Sequence, residues 1–151
     1  KYRIDLLSRS GAVVATISSP RPRRAVNAAM RAAVTAEELG LLEGAGAEEM
    51  VDASESRRVV RSAPFSDSLP ALQSLLVSKS DAVLWIVDAI APGDSVWTAI
   101  GLRPDASIVG ALRVPTSLGL PHAIDRDRVV VSHTDESGLV RLRTYPMRTR
   151  N

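Results

Sequence analysis

The stretch "LQSLLVSKSDAVLWIVDAIAPGDSVWTAIGLRPDASIVGALRVP", Leu72 to Pro115, decides the fold. It holds four short apolar runs, "LQSLLV", "VLWIV", "VWTAIGL" and "SIVGALRV". Between them stand "SKSDA", "DAIAPGDS" and "RPDA", rich in the Ser, Asp, Gly and Pro that favour turns. Runs of that length, Val- and Ile-rich and punctuated this closely, predict an antiparallel sheet of consecutive strands. The following segment continues the pattern. "RVVVSHT", the turn "DESG" and "LVRLRTYPM" add further strands after "PTSLGLPHAI".

Working outward, the start of the chain repeats part of this stretch. With a shift of 95 residues, Tyr2 meets Trp97, Leu7 meets Leu102, Val13 meets Ile108, Val14 meets Val109 and Ile17 meets Leu112. The turn "RSG" (Arg9 to Gly11) falls on "PDA" (Pro104 to Ala106). The opening "YRIDLLSRSGAVVATI" therefore predicts a hairpin that copies the one from Trp97 to Val114. A weaker echo links "VSKSDAVLWIVD" to "IDRDRVVVSH", each an Asp-bearing turn followed by a strand.

On these residues the chain resembles a six-bladed β-propeller of the NHL/TolB-like type. "LLVSKSDAVLWIV" and "WTAIGLRPDASIVGAL" are similar to the inner and outer halves of one such blade, although Ala106 stands where a Gly is usual. The resemblance implies a mainly β chain of four-stranded antiparallel blades in an incomplete ring, with an α-helical insertion. Residues 1–18 would be the outer hairpin (strands C and D) of one blade and 19–68 the insertion. Residues 69–115 would be a complete blade and 116–151 strands A to C of the terminal one. A ring of six needs about 40 residues per blade, more than this chain holds. The remainder of the propeller or another protein chain is thus the expected partner. In such rings the missing outer strand often comes from the far N-terminus. The first residue is Lys, so the start is read as processed or truncated.

The segment from Pro20 to Ser68 has a different character. "SSPRPRR" places two prolines where a strand would need donors. Val26, Met30, Ala33 and Val34 then follow a helical stripe. Thr35 and Glu38 are spaced as a capping box, predicting a second helix start, with a break at Gly44 and Gly46 and a short helix from Ala47 to Arg58. Insertions on a rigid scaffold commonly carry binding. The candidate partner-binding residues are therefore Val26, Met30 and Val34 with the basic Arg21, Arg23 and Arg24.

Composition narrows the chemistry. Hydrophobic residues make up 45% and aromatics only 3%, so the core must be built mostly from Val, Leu, Ile and Ala. Absence of Cys removes disulfides and thiolate metal sites. No apolar run is long enough for a membrane span. Net charge is +2 but uneven: residues 1–24 carry six Lys/Arg against one acid, whereas residues 25–68 carry four against eight. Charge compensation within the chain accounts for this, and with so few aromatics for base stacking no nucleic-acid partner is expected.

His122, at the start of an inner strand, is the channel-facing candidate, and His133 reads as a strand residue. Asp88, Asp94, Asp125, Asp127, Asp135 and Glu136 sit at strand ends and read as turn residues, so no metal or other cofactor is expected. Neither a GxSxG nucleophile motif nor a phosphate-binding loop is present. Trp85 reads as core and Trp97 as partly exposed on an outer strand. The expectation is a non-catalytic scaffold or protein-binding segment. The resemblance places it in the periplasm or outside a bacterial cell. Two alternatives stay open: part of a propeller-type metal-dependent lactonase or hydrolase whose ligands lie in other blades, and a self-contained β-sandwich with a helical arm.

Overall fold

A computed structural model describes residues 2–19, 23–44, 53–135 and 137–147. In chain order the elements are β1 (Tyr2–Leu7), β2 (Val13–Ser19), α1 (Ala28–Gly44), α2 (Ala53–Ser62), β3 (Leu72–Val77), β4 (Leu84–Asp88), β5 (Val96–Leu102), β6 (Ile108–Pro115), β7 (Leu120–Ile124), β8 (Arg128–Thr134) and β9 (Val140–Pro146). The protein is mainly β, in three antiparallel sheets: β1-β2, β3-β4-β5-β6 and β7-β8-β9. It divides into two compact units. The sheets form one; Arg23–Leu69 with Ala91–Gly93 forms the other.

Hairpins β1-β2 and β5-β6 share one register. The pairs Tyr2↔Ser19, Arg3↔Ser18, Ile4↔Ile17, Asp5↔Thr16, Leu6↔Ala15 and Leu7↔Val13 each become a β5-β6 pair when 95 is added to both numbers. Both ladders are interrupted at the same step, Leu6/Leu7 and Gly101/Leu102, leaving Val14 and Val109 as the extra residue of each bulge. Their turns match as well. Ser8 N–H donates to Ala12 O and Gly11 N–H to Ser8 O, as Arg103 N–H does to Ser107 O and Ala106 N–H to Arg103 O. Gly11 has φ +82° and Ala106 φ +66°, so Ala106 holds a left-handed position with a side chain present. The β8-β9 turn repeats the two hydrogen bonds around Asp135 and Gly138, but its ladder has no bulge.

The core lies between the four-stranded and three-stranded sheets. Val83, Trp85, Val87, Trp97, Ala99 and Val114 from the first meet Ile124, Val129 and Val131 from the second. Burying these Val, Ile and Trp side chains is the main stabilising term. Trp85 stands opposite Gly101 across the β4-β5 ladder. A Cβ at Gly101 would lie 3.0 Å from the Trp85 ring and 2.7 Å from Val109 Cγ2, so the glycine is the seat of the indole. Trp97 departs from expectation. It is only 2% exposed, and its indole N–H donates to Gly119 O at 3.0 Å. Bearing on the neighbouring sheet, rather than lying in an outer strand, is what buries it. Gly119 has φ +121°, and a Cβ there would sit 2.4 Å from Ser132 O.

In the helical unit, α1 runs through Thr35 without a break. The capping-box start expected there does not form; the surrounding Ala, Glu and Leu are good helix formers and carry the helix across it. The cap is earlier: Asn27 Oδ1 accepts from Met30 N–H at 2.9 Å. Gly44 ends the described helix, as expected, while Gly46 and the expected start of the next helix at Ala47 lie outside the described residues. α2 continues beyond Arg58 to Ser62 and carries an Arg58–Glu55 ion pair at 2.5 Å. The ends of the unit are pinned by an isolated bridge, Ala25↔Ser68, with Val26 N–H donating to Asp67 O and Leu69 N–H to Arg24 O.

Candidate functional site

The residues singled out from the insertion occupy unequal environments. Met30 is buried, Val26 and Val34 are half-buried, and Arg23 and Arg24 are exposed. Arg21 lies outside the described residues. Met30, Val26 and Val34 of the apolar stripe are thus packed within the chain, while Ala33 and the described basic positions Arg23 and Arg24 are exposed. Arg31 adds a cation on α1, with its guanidinium 3.6 Å from the Asp67 carboxylate.

His122 is exposed on β7, at the irregularity between Pro121 and Ala123 where the β7-β8 register shifts. His133 is half-buried on β8 opposite Arg141. The two are not brought together with a set of acids. Among the described residues, no three His, Cys, Asp or Glu side chains gather as a metal site would require.

Of the acids expected in turns, Asp127 and Asp135 act there, as does Asp105, whereas Asp88 ends β4 and accepts from the Thr98 hydroxyl on the neighbouring β5. Asp105 accepts Ser107 N–H at 2.9 Å, and Asp127 pairs with Arg128 at 3.1 Å. Asp135 accepts from Ser137 Oγ–H, Ser137 N–H and Leu139 N–H and pairs with Arg141 at 2.6 Å. These donors, the Ser137 hydroxyl foremost, hold its carboxyl down to about 2. Glu136 lies outside the described residues.

One polar cluster was not foreseen as a unit. Ser78, buried at the end of β3, shares its single hydroxyl proton between Asp81 in its own turn and Asp125 Oδ1, 2.7 Å away in the β7-β8 turn. Ser80 donates to the same Asp125 oxygen, and Arg126 N–H adds a third donor at 3.0 Å. Ser80 and Ser78, followed by Arg126 N–H, hold the Asp125 carboxyl down to about 2. Through these hydrogen bonds the cluster ties the β3-β4 turn to the β7-β8 turn of the adjacent sheet. The echo of "SKSD" in "IDRD" was its trace in the sequence; which hydroxyl meets which acid depends on how the sheets stack.

The faces and edges of the sheets are the other notable feature. β4 is buried on both sides: Trp85 and Val87 on one, Ile86 on the other. β8 is buried on one side only, through Val129 and Val131, while Val130 and Ser132 of the opposite face are half-buried. On that open face lie Leu120 and Leu142, both paired with Ser132, and Val140. Leu142 is 58% and Val140 68% exposed. Among the described residues no strand pairs with the second edge of β9, and β1-β2 stands as a two-stranded sheet.

No protein-family model, curated protein or solved structure matches the chain.

Proposed function

We propose that the chain is a run of β-propeller-type blades with a helical insertion, acting without catalysis as a scaffold or protein-binding segment of an exported bacterial protein. The observation that carries this is the identity of register between β1-β2 and β5-β6, six pairs and one bulge at a constant offset of 95. Register is strongly specified, because a slip of one residue sends every side chain to the opposite face. Two hairpins agreeing in every pair are one structural unit used twice. Four strands in sequential order from Leu72 to Pro115, followed by three more, supply the rest of a blade-like series. The polar groups that are gathered serve as turn and inter-sheet ties, which supports a non-catalytic role.

Hydrolysis of lactones and aryl esters, with and without added calcium, magnesium or manganese, tests the function. Rates equal to buffer are expected. Saturable turnover abolished by a chelator would replace the scaffold with a hydrolase. Experimental coordinates test the architecture: superposition of β1-β2 on β5-β6 should hold the bulge in place, and a strand order other than the sequential β3-β4-β5-β6 and β7-β8-β9, with strands exchanged between the stacked sheets as in a Greek-key sandwich, would sink the blade reading.

A further inference from the structure

We draw no further inference here: the strongest candidate, the cluster of Ser78, Ser80, Asp81 and Asp125 between the β3-β4 and β7-β8 turns, belongs to the tie already described, and nothing else in the structure points to a ligand there.

Discussion

Gly101 and Gly110 face each other across the β5-β6 ladder, yet the structure assigns opposite signs to the same substitution at the two sites. An added methyl at Gly101 meets Val109 Cγ2 at 2.7 Å and two atoms of the Trp85 ring at 3.0 Å. At Gly110 it meets nothing within 4 Å. Both have ordinary negative-φ backbone, so neither change adds left-handed strain. Replacing Gly by Ala restricts the unfolded chain and alone stabilises by ~0.4–1 kcal/mol. Overpacking a filled core costs ~1–3 kcal/mol. Gly110→Ala should thus gain up to ~1 kcal/mol, and Gly101→Ala should lose ~1–2 kcal/mol net. At about 2–4 °C per kcal/mol for a chain of this size, their melting temperatures diverge by several degrees. Urea denaturation followed by tryptophan fluorescence measures both. Trimming the indole in Trp85→Leu should relieve part of the Gly101→Ala penalty, the Val109 contact at 2.7 Å remaining, a coupling of ~0.5–1 kcal/mol in a double-mutant cycle. If the two alanines have equal effects, or the cycle shows no coupling, the indole does not rest on Gly101 and the packing of the middle sheet is wrong.

Ala106→Gly should stabilise by ~0.5–1 kcal/mol, since the left-handed φ of +66° costs an L-residue ~1–2 kcal/mol and the looser unfolded chain returns only part of that; a lowered denaturation midpoint would contradict the turn. Asp125, held near 2 against an ordinary value of 3.8, binds its proton more readily in the unfolded chain. Its contribution is therefore complete above about pH 4 and disappears as pH falls through about 2, so Asp125→Asn should flatten the acid limb of stability between those values while an unchanged limb would deny the Ser78–Ser80–Asp125 tie. Trp97→Phe keeps the ring but strips the donor from Gly119 O and should cost ~1–3 kcal/mol, read from thermal melts; a neutral result would mean that this carbonyl is not sequestered.

The sheets were legible because their signal is local. Short Val- and Ile-rich runs between Asp-, Ser- and Gly-bearing turns specify strand order, and the repeat at 95 residues specified a register that the pairs then displayed one by one. The inside of the series was less legible. Trp97 looked half-exposed because an outer-strand position says nothing about the sheet stacked against it; its burial depends on Gly119, twenty-two residues away. Ser78 and Asp125 were visible as turn residues but not as partners, since they meet only after two sheets have stacked. Thr35 and Glu38 had the spacing of a helix start, yet helix formers on both sides outweighed it, while Asn27, with Met30 three residues on, lacked the Glu that completes a capping box.

What separates a repeated unit from two hairpins that merely look alike is the bulge. Alternating apolar residues around a Gly-bearing turn recur in unrelated hairpins, and a shared turn fixes only the first pair of the ladder. β8-β9 shows this within the same chain: its turn carries the same two hydrogen bonds, yet with no bulge it pairs Arg128 with Pro146, one residue off the register that β5-β6 would impose. β1-β2 has the turn and the bulge, with a valine as the extra residue in both copies, Val14 and Val109. In the middle sheet that valine closes over Gly101 and the Trp85 ring. In the hairpin, Leu6 stands at the glycine's place, and among the described residues no strand pairs with β1 beyond β2 to bring an indole there. The pair itself survives the change of residues, Leu6↔Ala15 in one copy and Gly101↔Gly110 in the other, so it is the bulge and not the side chains that marks the repeat.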